Sequence, residues 1–248
     1  VANFKLILAY DGTELFGWQK SEEGRSVEGS LETALQTLYQ TTPKLQAASR
    51  TDRGVHAEGQ VVNFHPPSER YSVEHLCYTL NRILPDDIRV LRGEQVAETF
   101  HPTLDAKRKE YHYHISLGNF QSPHERRTAW HHPQSLDLKS MRKACSYLIG
   151  NQDFKALRNV SADREEKETI RTVHSTEIEE RRGGLLIRIQ ADRFLYRMAR
   201  NMVGLLVAVG RKKISPQQVK EVLASQDRTE SGMTAPAKGL TLYKVSYS

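Results

Sequence analysis

Apolar and polar positions alternate along the chain at two different periods, and the changes of period mark its elements. Residues 3–10, "NFKLILAY", read as a buried strand ended by the turn signal "YDGT". Next comes "SVEGSLETALQTLYQ", which sets Val27, Leu31, Leu35 and Leu38 at helical spacing behind Ser26, a candidate N-cap. "QVVNFH" reads as a strand. "YSVEHLCYTLNRIL" reads as a helix that begins near Ser72 and stops before Pro85, and "DIRVLRGEQV" as a short strand with a polar edge.

The second half echoes the first. "KEYHYHISL" alternates as a strand does, and "DLKSMRKACSYLIG" is an amphipathic helix expected to end at Gly150. "TIRTVHSTEIEE" and "LLIRIQA" form a hairpin around Gly183-Gly184. A helix is expected over 192–210. Another follows in "SPQQVKEVLASQ", with Ser215 as cap and Pro216 at the first helical position, and "GLTLYKVSY" closes the chain as a strand. Strands mixed with pairs of helices in two similar passes predict an α+β protein of two related halves, 1–104 and 105–248, each a mostly antiparallel sheet with helices on one face. The polar stretch 158–168, "RNVSADREEKE", lacks apolar periodicity and reads as disordered.

Composition changes this picture little. Hydrophobic content of 38% and charged content of 27% are ordinary for a soluble globular chain. Lys plus Arg outnumber Asp plus Glu by 36 to 30, a formal charge of +6 that favours a polyanionic partner. Cys77 and Cys145 are far apart, too few for a disulfide framework or a zinc signature, so a reducing cytoplasm is the simplest home. The opening "VANFKLILAYDG" is too short for a signal-peptide core, and no stretch approaches a membrane span.

Chemistry concentrates in "ASRTDRGVHAEGQVVNF", residues 48–64, where Asp52 stands near Arg50 and next to Arg53, ahead of Gly54 and a strand. Gly54 suits a positive φ, so a tight loop is expected to hold Asp52 outward and fixed. An ionised, oriented carboxylate suits a nucleophile better than a general acid; the plainer alternative is a turn aspartate paired with an exposed arginine. The 192–210 segment is the clearest basic feature. On a helix, Arg193, Arg197 and Arg200 would share a face with Gly204, and from 181 to 213 nine basic residues meet the single acid Asp192. A glycine on that face weakens a helix by about 1 kcal/mol relative to alanine. Its presence suggests that something approaches the backbone there, an RNA phosphate or another helix.

Two further motifs compete. "YDGT" resembles part of a phosphohydrolase signature, but Ala9 occupies the position of that motif's nucleophilic aspartate. "HERRTAWHH" (124–132) suggests a metal site, yet adjacent His131 and His132 do not readily face one ion, and a solvated basic loop fits better. His56 reads as a local capping residue rather than a general base.

"SRTDRGVHAEGQV" resembles the active-site motif of the tRNA pseudouridine synthase A family. "YDGTELFGWQ", "AKRKEYHYHI", "DRFLYRMARNMVGLLVAVGRKKI" and "TAPAKGLTLYKVSY" resemble, in order, that family's other signatures. The resemblance implies isomerisation of uridine to pseudouridine at positions 38, 39 and 40 of the tRNA anticodon stem-loop. It implies a homodimer and neither metal nor cofactor. Asp52 falls on the family's nucleophile, Tyr111 on its active-site tyrosine, Arg200 on the arginine paired with the aspartate, and Arg50 on the arginine that helps extrude the nucleotide. Attack at C6, attack at C1′ and assistance to a glycal all use the same carboxylate. Arg53 and Lys212 depart from the family's usual small residue and glycine. The alternative from another class is a non-catalytic RNA-binding or RNA-folding module.

Overall fold

A computed structural model describes residues 2–160 and 168–248, so most of the stretch expected to be disordered lies outside the described residues. The chain forms two compact units, Val1–Lys107 with Thr241–Ser248, and Arg108–Leu240. In class it is mixed α/β, with mostly antiparallel strands and, among the described residues, five α-helices.

The first unit is built on β1 (Asn3–Tyr10), β3 (His56–Phe64) and β4 (Ile88–Val96). β1 lies antiparallel to both β3 and β4. Phe4, Leu6, Leu8 and Tyr10 are buried at the period-2 spacing of a strand. β3 is covered on both sides, with Val61, Val62 and Phe64 all buried. The short β2 (Gln46–Ala47) pairs antiparallel with it, and the last strand, β10 (Leu240–Ser246), pairs parallel through Thr241 and Leu242 with His56 and Ala57. This pairing carries the end of the chain back to the unit that begins it.

Helices α1 (Val27–Tyr39) and α2 (Val73–Ile83) start where their caps direct. Ser26 Oγ accepts from the Gly29 N–H and Ser72 Oγ from the His75 N–H, each cap stabilising its helix by about 1 kcal/mol. Pro85 ends α2, because Leu84 before it takes extended dihedrals. Leu31, Leu35, Leu76 and Leu80 are fully buried.

The second unit orders its main strands β5 (Arg108–Leu117), β9 (Gly184–Ala191), β8 (Ile170–Arg181) and β7 (Gly150–Asp153), all antiparallel neighbours. Gly183 turns the β8–β9 hairpin at φ +79°. α3 (Leu138–Tyr147) packs on α4 (Met198–Gly210), α5 (Gln218–Ser225) and β8. Gly150, expected to end α3, instead opens β7 at φ +113°, after the helix has stopped at Tyr147. α5 begins two residues later than expected. Its N-cap is Gln217, without a side-chain cap bond, and Ser215 instead holds the turn before it: its N–H bonds Gln218 Oε1 at 2.7 Å and its Oγ accepts from the Gln218 N–H.

Residues 130–132 form β6, parallel to β5, where a loop was expected. His131 Nε2 lies 2.8 Å from the Gly118 carbonyl and His132 Nδ1 2.9 Å from that of Gln134, so both rings serve the backbone. Among the described residues no three His, Cys, Asp or Glu gather to hold a metal, and no helix is long and apolar enough to cross a membrane. Both cysteines are thiols, and burial pushes that of Cys145 up to about 12.

Candidate active site

Asp52 sits on a loop whose backbone is held from several sides. The Val55 N–H bonds the Asp52 carbonyl at 3.1 Å across a turn that Gly54 completes at φ +79°. The Gly54 N–H bonds Leu15 O, the Thr51 carbonyl accepts from the Trp18 N–H at 3.0 Å, and the Ala48 N–H reaches Val61 O at 2.8 Å. Gln60, fully buried on β3, grips Ser49 twice: its Nε2 donates to the carbonyl at 2.6 Å and its Oε1 accepts from the N–H at 3.2 Å. Thr51 is buried, with its hydroxyl 2.8 Å from that of Tyr10. The half-buried Asp52 therefore projects from a frame with little freedom, which is what orienting a reactive group requires.

Two glycines of "YDGTELFGWQ" let the preceding segment lie against this loop. A β-carbon on Gly12 would overlap the Val55 carbonyl, and one on Gly17 (φ +88°) would lie 2.5 Å from Thr51 O and 2.9 Å from the Asp52 carbonyl carbon. Asp11 has a turn role: its Oδ1 caps a short 3₁₀ turn, Gly12–Glu14, by accepting from the Thr13 N–H at 3.0 Å. His56 Nδ1 accepts from the Gly12 N–H at 3.0 Å, a capping role, but across 44 positions of the chain rather than locally. Arg53 lays its guanidinium 4.0 Å over the Phe16 ring, a cation–π contact, and Arg50 is exposed.

In the second unit, Lys109, Tyr111, Tyr113 and Ile115 of β5 are buried at alternate positions and so share a face. Phe194 meets the Tyr111 ring edge-on at 4.9 Å between centroids. Tyr113 is wholly buried, and its hydroxyl donates to the Pro236 carbonyl at 2.8 Å. Burial pushes this phenol up, and the nearby Arg200 charge acts the other way. Arg200 Nε donates to the adjacent carbonyl, Ala235 O, at 2.7 Å, and the Ala235 N–H returns a bond to Arg200 O at 3.2 Å.

The expected helix over 192–210 is shorter than its pattern suggests. α4 starts at Met198, after Arg197 at φ +60°, so Arg193 and Arg197 lie ahead of the helix and share no face with Arg200 and Gly204. Asp192, at a bend, accepts with Oδ1 from the Thr172 and Arg193 N–H groups, and residues 193–197 lead to α4 through a turn rather than a helix. Gly204 is buried, and what approaches it is the Met233 carbonyl, which a β-carbon would overlap, not a phosphate or a helix. Lys212 adopts φ +58°, the conformation that suits glycine, and its N–H closes on Val209 O at 2.8 Å as α4 ends.

Asp52 and Arg50 thus belong to the first unit, Tyr111 and Arg200 to the second. Tyr113 and Arg228, which reading the sequence missed, serve the Arg200 environment. Tyr113 was signalled by strand alternation, whereas Arg228 carries no local pattern.

Comparison with known proteins sets the class. A family model described as tRNA pseudouridine synthase matches residues 6–103 and 144–248, and enzymes of this kind are isomerases. "tRNA pseudouridine synthase A 2" of Protochlamydia amoebophila (strain UWE25) is 44% identical over 246 residues, covering 99% of this chain and 94% of that protein. "tRNA pseudouridine synthase A" of Thermoanaerobacter sp. (strain X514) is 41% identical, with 99% of each chain covered. That of Thermotoga sp. (strain RQ2) is 40% identical, covering 97% of this chain and 98% of its own. The chain belongs to the tRNA pseudouridine synthase family.

Proposed function

We propose that this enzyme isomerises uridine to pseudouridine at positions 38, 39 and 40 in the anticodon stem and loop of tRNA, with Asp52 as nucleophile. The observation that carries the reading is the Asp52 loop: a half-buried carboxylate on a backbone fixed by Gln60, Thr51 and the two close-approaching glycines. The reaction breaks N1–C1′, turns the uracil and joins C5 to C1′. C5 loses a proton and N1 gains one, so atoms and electrons balance within the nucleotide and no cofactor or metal is required. Family membership supports tRNA as substrate.

In this reading a uridine inside a stem first leaves its stack, at a cost of a few kcal/mol. Arg50, exposed beside the loop, assists extrusion by binding phosphate or the opened stem. Tyr111 stacks on the everted base and its hydroxyl accepts the C5 proton. Arg200 supplies a fixed positive charge to the reacting site, where water is scarce. The enzyme works in the cytoplasm as a homodimer, with tRNA lying across both subunits.

The test is to incubate the protein with unmodified tRNA transcripts and map pseudouridine by position. Product at 38–40 supports the reading. Binding without product would return the protein to the RNA-binding class, and product elsewhere would overturn the site assignment.

A further inference from the structure

Arg228 is half-buried on the short 3₁₀ turn Arg228–Ser231, and all five of its N–H groups have acceptors. Nε donates to Asn159 Oδ1 at 3.1 Å. One terminal nitrogen donates to Ser231 Oγ at 2.9 Å and Gly232 O at 2.7 Å. The other donates to Asn201 Oδ1 at 3.0 Å and Thr234 Oγ1 at 2.7 Å. Every acceptor is neutral. A guanidinium is usually paired with a carboxylate where it is partly withdrawn from water. Here burial, and the neighbouring Arg197 charge after it, hold Arg228 below the usual arginine range.

The partners explain the arrangement. Asn201 is fully buried on α4, one residue beyond Arg200, and its Nδ2 donates to Leu157 O and Asn159 Oδ1, both at 2.8 Å. Thr234 also donates to Asn201 Oδ1, at 2.7 Å. The next residue is Ala235, whose carbonyl receives Arg200 Nε and whose N–H bonds Arg200 O. Between these contacts the Met233 carbonyl sits against Gly204. The planar fork thus sews residues 231–234 to α4 on one side of Arg200, and Ala235 holds the guanidinium from the other.

We infer that Arg228 is a positioning residue that sets the orientation of the Arg200 guanidinium through Thr234, Ala235 and Asn201. The inference rests on the reading above, in which Arg200 serves the reacting site. The fork geometry matters here, and the charge does not, so lysine is no substitute.

The test measures single-turnover pseudouridine formation with enzyme in saturating excess over tRNA, alongside the tRNA Kd. This rate is insensitive to loss of folded fraction. Arg228→Lys and Arg228→Met are both expected to slow the step by about tenfold or more, as small misplacements near reacting groups do, with Kd within about twofold of wild type. Thr234→Val, a milder change expected to leave the fold intact, slows it severalfold. Adding Arg228→Lys to Arg200→Lys has little further effect, because both act through one group. A wild-type rate in Arg228→Lys or in Thr234→Val, or full multiplication of the two lysine effects, overturns the inference. An Arg200→Ala protein at wild-type rate would instead sink the underlying assignment of Arg200.

Discussion

Gly17 and Thr51 lie so close that a β-carbon on the glycine would sit 2.5 Å from the Thr51 carbonyl oxygen. The N-terminal segment and the Asp52 loop are therefore shaped against each other, and the glycine is required twice, for space and for φ +88°. Gly17→Ala is expected to destabilise the protein by about 1–3 kcal/mol from backbone strain alone, and to lower activity further by displacing the loop. Gly118, at φ +96° with open space around it, is the control. Gly118→Ala shows strain without loss of activity. Denaturant midpoints and rates of both variants check the pair.

Lys109 gives a pH signature. Burial, then the charges of Arg193 and Arg171, lower its ammonium from 10.5 to about 8, with Asp192 opposing. Between pH 8 and 10.5 the unfolded chain holds a proton that the folded protein has released, so this group makes stability rise with pH across that window. Lys109→Met is expected to flatten the rise in urea-unfolding free energy measured from pH 8 to 10.5; an unchanged slope would assign it to other groups.

Arg193 is exposed ahead of α4, on the entry segment rather than on the helix. If the bound tRNA places a phosphate there, Arg193→Ala lowers the slope of log K against log salt by about 0.7–0.9. Titrations at several salt concentrations read this directly, and an unchanged slope returns the residue to solvent.

The Tyr111 ring is held edge-on by Phe194. Tyr111→Phe keeps that contact and a stacking surface while removing the hydroxyl. The expected result is tRNA affinity near wild type with a rate reduced by about 10²-fold or more, the range of general acid–base contributions. Tyr111→Ala should also weaken binding. Equal rates for Phe and Tyr would remove the proton-transfer role.

What could be read from the sequence follows how local each cause is. Ser26 and Ser72 cap their helices from within three residues, and β1 declares itself by its apolar run ended at Asp11-Gly12, so both were legible. The 192–210 segment was misread because its residues tolerate a helix. Its start is bent away from a helix at Asp192, whose Oδ1 accepts from the Thr172 N–H twenty positions away in the chain. Gly204 looked like a notch in a polar face, but its neighbour is the carbonyl of Met233. Asp52 was singled out from its own loop, where Gly54 and the arginines lie close by in sequence. Arg228 was invisible, since its partners Asn159 and Asn201 are distant and neutral and form no charge pattern.

Substituting the Asp52 carboxylate alone separates its chemistry from RNA binding. Asp52→Ala and Asp52→Asn should bind tRNA within about twofold of wild type and form no pseudouridine in single-turnover assays, because each removes the carboxylate proposed as the nucleophile. Pseudouridine made by either variant at a rate near wild type would rule Asp52 out as the nucleophile.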